Sequence, residues 1–99
     1  MTVLWLDAAA RNRFEQLDYI AQDNPAAAIR LDEQIEGQAG MLADDPLMGR
    51  IGRVKGTREL AISHSPFILV YRIRRKRLEI LRLLHGAQQW PRAESVEGA

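Results

Sequence analysis

The sequence predicts an α+β domain in the order β-α-α-β-β-β, a four-stranded antiparallel-type sheet packed against an N-terminal helical hairpin. Apolar residues recur at helical spacing through the first half of the chain, the period changes to alternation and short apolar runs after residue 44, and a glycine- and proline-rich segment joins the two regimes. A chain of 99 residues with 46% apolar and 27% charged content suits one domain with a single modest core. That domain is expected over residues 1–92, with 93–99 a flexible tail.

The opening "TVLWL" is β-prone, and Asp7 after it is a candidate N-cap. Ala10, Phe14, Leu17 and Ala21, widened by Ile20, predict an amphipathic helix over 8–22. "DNP" breaks it, with Asn24 placed to cap a second helix and Pro25 at that helix's first position. Ala28, Leu31, Ile35, Ala39 and Leu42 carry the second stripe to about residue 43. So short a link makes the two helices antiparallel neighbours, and Gly37 and Gly40 either weaken the second or allow close packing.

"DDPLMGRIGRVKG" has no helical stripe and reads as a basic loop. "TRELAIS" alternates, with Leu60 and Ile62 on one face and Glu59, Ala61 and Ser63 on the other. Ser65–Pro66 turns the chain into "FILVYRI", apolar on both faces as a central strand should be. "RRKR" at Arg74–Arg77 is the next turn, and "LEILRLL" is the last strand, in which simple alternation groups Ile80 with Arg82 and Leu84 and leaves Leu83 on the other face.

Charge is divided along the chain. Residues 1–48 hold three arginines against nine acids, whereas residues 49–92 hold eleven cations against Glu59 and Glu79. The second half either meets an anionic partner or presents a solvated basic surface that balances the acidic half. Arg50, Arg53, Lys55 and Arg58 in the glycine-rich loop, and Arg74, Arg75 and Arg77 at the turn, are the candidate partner- or nucleic-acid-binding residues. The loop lacks the Gly-Lys-Ser/Thr step of a P-loop, and Arg58 reads equally as structural. The absence of cysteine excludes a disulfide frame and a thiolate zinc site, no metal or cofactor is expected, and neither "VLWL" nor "FILVY" is long enough for a signal peptide or membrane span. A cytoplasmic protein is the expectation.

The stretch "LLHGAQQWP" offers His85 as a general base or as a strand-closing residue with its imidazole on a nearby backbone group. Gln88 and Gln89 read as polar surface residues. Trp90 reads as a clasp over the sheet edge or the hairpin, or as a stacking platform for a base, and His64 as a turn-tip residue.

Taken together, "DYIAQDNPAAA", "GRIGRVKGTREL", "FILVYRI" and "ILRLLHGAQQWP", in this order over residues 2–91, resemble the RelE/ParE superfamily of toxins from bacterial type II toxin–antitoxin modules. The resemblance implies a small antiparallel sheet under a helical hairpin and a cognate antitoxin as partner, with operator DNA contacted only through the toxin–antitoxin complex. RelE-like members cut ribosome-bound messenger RNA without a metal, through attack of the ribose 2′-OH, whereas ParE-like members poison DNA gyrase by binding it. One fold hosts both, so the fold cannot choose. RelE carries lysines on the second strand where this chain has Glu59 and Ala61, and an arginine on the third where it has Ile68. RelE's C-terminal arginine and tyrosine have no convincing match in "HGAQQWP". Other nucleases of the superfamily use a glutamate, an arginine and a C-terminal histidine, which Glu59, Arg82 and His85 imitate as a catalytic set if the chain is a nuclease. The ordering implied is a ParE-like gyrase inhibitor first, a RelE-like nuclease as the alternative, and a scaffold that only binds an antitoxin as a third possibility.

Overall fold

A computed structural model describes residues 1–86, 90 and 91. The elements are β1 (Thr2–Trp5), α1 (Asp7–Asp23), α2 (Pro25–Met41), β2 (Arg50–Ile51), β3 (Arg58–Ala61), β4 (Phe67–Arg74) and β5 (Arg77–His85). They form one five-stranded sheet in the order β1-β5-β4-β3-β2. The α+β class and the helical hairpin are as expected, and the sheet differs in two ways. Arg50–Ile51, expected as loop, pairs antiparallel with Glu59 and Arg58, and β1 pairs parallel with β5, with Val3 opposite Leu78 and Trp5 opposite Ile80. A parallel first strand follows from the hairpin, which returns the chain to the end of the sheet where it began.

Asn24 caps α2 through its side-chain oxygen, which accepts from the Ala27 N–H at 3.1 Å, and Pro25 follows at the first helical position. Asp7 is not the cap of α1. It is the first helical residue, where its charge complements the helix dipole, and Leu6 occupies the cap position without a side-chain bond. All five residues of the α2 stripe, Ala28, Leu31, Ile35, Ala39 and Leu42, are buried. The α1 stripe is rotated from the expected one: Ala9 is buried and Leu17 and Ile20 pack against the core, whereas Phe14 is 70% exposed. Polar groups take part of the inward face. Asn12 accepts from the Leu83 N–H, and Arg13 lies 4.7 Å from the Trp5 ring while bonding Asp32. Added Cβ atoms at Gly37 and Gly40 would meet nothing within 4 Å, so neither glycine serves close packing.

The sheet has a core on each face. Under the helices lie Leu60, Ile62, Phe67, Leu69, Tyr71, Leu78, Ile80 and Leu83, while Val70, Leu81, Leu84 and Trp90 cluster separately with Leu6 and Val54 packed on them. An irregularity between Val70 and Tyr71 explains how Leu78, Ile80 and Leu83 share a face. Val70 stands opposite Arg82 and Tyr71 opposite Ile80, so Leu81 is the extra residue and the alternation restarts after it. Leu84 therefore lies on the face opposite Ile80, against the simple alternation. Residues 93–99 and the Gln88–Gln89 pair lie outside the described residues.

Candidate functional site

The face of the sheet turned away from the helices is organised around two buried carboxylates. Glu59, on β3, is 2% exposed. It accepts from the Arg53 backbone N–H at 2.9 Å and from the Arg53 and Arg50 guanidinium groups at 3.1 Å. Burial by itself would raise its pKa, but these donors outweigh burial and hold the carboxyl below its ordinary value. The glycine-rich loop brings Arg53 there because it curls back on itself, with Gly52 donating to Thr57 O at 2.8 Å and the Thr57 hydroxyl donating to Val54 O at 2.6 Å. A side chain at Gly52 would collide with Thr57.

Glu79, on β5, stands directly across from Arg72 and accepts from its Nε at 2.7 Å, with Arg77 at 3.7 Å. The Arg72 hydrogen bond lowers the Glu79 pKa, and the charges of Arg72, Arg74 and Arg77 add to that against a smaller effect of burial. The Arg72–Glu79 pair was missed by the sequence reading. Its signal was present, because a two-residue turn at Arg75–Lys76 sets residues 72 and 79 opposite each other.

The hairpin tip is unusual in its own right. Arg75 and Lys76 both have positive φ, 52° and 67°, the signature of a type I′ turn normally built from Asn and Gly. Arg74, Arg75, Lys76 and Arg77 are all exposed, so the turn holds out four cations at one corner of the sheet.

The remaining basic candidates divide. Lys55 is exposed at the loop tip. Arg58 is structural in its contacts, donating to Gly49 O at 2.8 Å and to Leu47 O at 3.4 Å. Beside it the buried Tyr71 hydroxyl donates to Pro46 O at 2.7 Å and accepts from the Gly49 N–H at 2.9 Å, and burial pushes the phenol pKa up. A Cβ on Gly49 would lie 2.7 Å from that hydroxyl.

Of the three residues that imitate a nuclease set, two share a face. Glu59 and Arg82 both flank Val70, one on each neighbouring strand, and the Arg82 guanidinium lies 5.6 Å from the centre of the Trp90 ring. Trp90 is 6% exposed and covers Val70, Leu81 and Leu84. The clasp thus closes over the sheet face opposite the helices, not over the hairpin. The indole N–H has no hydrogen-bond partner among the described residues. His85 projects to the other side. It pairs with Phe67 in the ladder, and the two rings meet edge to face at 5.5 Å on the helix-covered side.

Comparisons with known proteins agree with this architecture. Residues 3–90 match the family model described as the ParE toxin of the type II toxin–antitoxin system parDE. The chain is 43% identical over 89 residues to a Sinorhizobium fredii protein named "Putative toxin Y4kP", a match that covers 90% of this chain and 92% of that protein. A solved structure described as the chromosomal ParDE TA system from P. aeruginosa contains a chain that superposes with a TM-score of 0.78 at 26% identity, covering 86% of this chain and 95% of that one. Among the described residues no helix is long and apolar enough to cross a membrane. With the family match spanning nearly every described residue and the fold shared over 86% of the chain, the chain belongs to the ParE toxin family of type II toxin–antitoxin systems.

Proposed function

We propose that this toxin acts on DNA gyrase by binding, and that a cognate antitoxin restrains it. The observation that carries the choice of target is the division of Glu59, Arg82 and His85 between the two faces of the sheet. Metal-free cleavage of RNA needs a base, an acid and a cation within hydrogen-bond reach of one phosphate. Here the imidazole and the guanidinium have the sheet between them, and Glu59 is already committed to Arg50 and Arg53. A binding inhibitor requires only a complementary surface. The exposed cationic tip at Arg74–Arg77 supplies one, and on the adjoining face Arg50, Arg53, Arg72 and Arg82 outnumber their partners Glu59 and Glu79 by four to two.

The antitoxin fits the same chemistry through an acidic or amphipathic segment, and operator DNA enters only through the toxin–antitoxin complex. The domain boundary at residue 92 and a cytoplasmic site of action belong to this same reading. The test is a supercoiling assay with purified gyrase beside a cleavage assay with messenger-loaded ribosomes. Loss of supercoiling with intact messenger, retained by His85→Ala, is the expected result. Messenger cleavage that disappears in His85→Ala or Arg82→Ala, with gyrase untouched, would establish the RelE-like nuclease alternative instead.

A further inference from the structure

Both histidines of the chain, 21 positions apart in sequence, line one cleft on the helix-covered side of the sheet. The cleft has a volume of about 460 Å³ and lies between the helical hairpin and the end of the sheet where β4 begins and β5 stops. Its floor is apolar, made by Ile20, Leu31 and Phe67, and its polar lining includes Arg30, His64 and His85. Tyr19 stands at its mouth, 72% exposed. Among the described residues that line it there is neither an aspartate nor a glutamate, although the two helices that form its wall belong to the acidic half of the chain.

The walls are tied together before any ligand arrives. Gln34 on α2 donates to Ser63 O, and Gln38 both receives the Ser63 N–H and donates to Ala61 O, which fixes the turn after β3 to the helix. Ser65 Oγ donates to Ile62 O and accepts from the Phe67 N–H, and Gly86 donates to Pro66 O. His64 is held in that turn with φ at 58°, a left-handed conformation uncommon outside glycine. A fixed cavity with an apolar floor and convergent donors is the form of a ligand site, and its rigidity lowers the entropy cost of binding.

We infer that this cleft binds an acidic peptide segment, seating one bulky apolar side chain on Ile20, Leu31 and Phe67 while flanking carboxylates meet Arg30 and the two imidazoles. Charge selects that occupant. The groove on the outer side of the same hairpin, around Phe14 and Ile29, is lined by Asp18, Asp32 and Glu33 and has the opposite preference. The inference does not require either target, because peptide binding is read directly and not through supercoiling or messenger cleavage.

The test is an amide-shift titration of the ¹⁵N-labelled full chain with the probe acetyl-Glu-Phe-Glu-amide. The expected result is saturable shifts clustered at Ile20, Leu31, His64 and Phe67. Acetyl-Gln-Phe-Gln-amide and acetyl-Glu-Ala-Glu-amide should each bind about tenfold more weakly or worse, since one loses the charge-assisted bonds and the other the apolar anchor. Arg30→Gln, at an exposed position, should keep the parent spectrum and weaken the acidic probe by a similar factor without affecting the neutral one. Equal affinity for the acidic and neutral probes, an unaffected Arg30→Gln variant, or shifts confined to the face around Arg72 and Glu79 would overturn the inference.

Discussion

The Glu59 carboxylate is bonded to Arg53 twice over, by the backbone N–H at 2.9 Å and by the guanidinium at 3.1 Å, so one side chain fixes both the fold of the glycine-rich loop and the direction of its arginine. Glu59→Ala should destabilise the domain by about 1–3 kcal/mol, the range for losing charged hydrogen bonds and leaving a donor without its partner. The cost stays below that of breaking a fully buried pair because Arg50 and Arg53 are partly exposed and regain water. Chemical denaturation of the variant checks this.

The same pair sets an acid limit. The folded-state pKa of Glu59 is depressed, so its stabilisation is fully present above the unfolded carboxylate value and is lost as pH falls through the lower folded value. Glu59→Gln should therefore flatten the decline in melting temperature below about pH 4.5, where the unfolded carboxylate begins to take up protons. Parallel melting curves for parent and variant across that acid window would remove Glu59 as the cause.

Gly49 and Tyr71 form a second testable pair. Gly49→Ala places a Cβ 2.7 Å from the Tyr71 hydroxyl and 2.9 Å from Glu59 O, and overpacking of this kind costs about 1–3 kcal/mol. Tyr71→Phe loses the bonds to Pro46 O and Gly49 N, and in that background Gly49→Ala should cost less because the hydroxyl part of the clash is gone. A strictly additive double-mutant cycle would show that the two residues do not collide.

At the cationic tip, stability and binding should respond in opposite directions. Lys76→Gly relieves a left-handed residue and should stabilise the domain by up to about 1 kcal/mol. Charge reversal at Arg74 and Arg75 should weaken the antitoxin and reduce the salt dependence of binding, since fewer ion contacts remain to be screened. Arg77 is a poorer probe, because it also contacts Glu79. Antitoxin affinity that ignores these changes at every salt concentration would place the interface on another surface.

Trp90→Ala should cost about 3–5 kcal/mol, as truncation of a buried aromatic does, and should loosen the cluster of Val70, Leu81 and Leu84 beneath it. Hydrogen exchange at Val70 and Leu84 gives the local readout. Unchanged exchange and an unchanged melting curve would make the indole a contact residue for a partner.

Local signals carried much of this structure. The five-residue stripe of α2, the Asn24–Pro25 start, the two-face apolar run of β4 and a turn within Arg74–Arg77 depend on neighbours within a few positions, and each was legible. The family resemblance rested on motifs of the same local kind. What alternation could not show was the extra residue at Leu81, because a bulge is a property of two paired strands, nor the rotation of α1, because Phe14 is apolar whether or not anything covers it.

The sequence by itself determined a two-helix hairpin, an antiparallel run of strands and a basic second half, since periodicity, capping residues and charge are all written along the chain, and the resemblance of its motifs pointed to a toxin superfamily. Tertiary structure alone decided which charges are spent and which are offered. The parallel pairing of β1 with β5, the capture of Arg50 and Arg53 by Glu59, the separation of His85 from Arg82 by the sheet and the meeting of His64 with His85 in one cleft all depend on residues distant in sequence. Such contacts form only when the chain closes loops under the constraint of burying both faces of the sheet, and no local pattern encodes that closure.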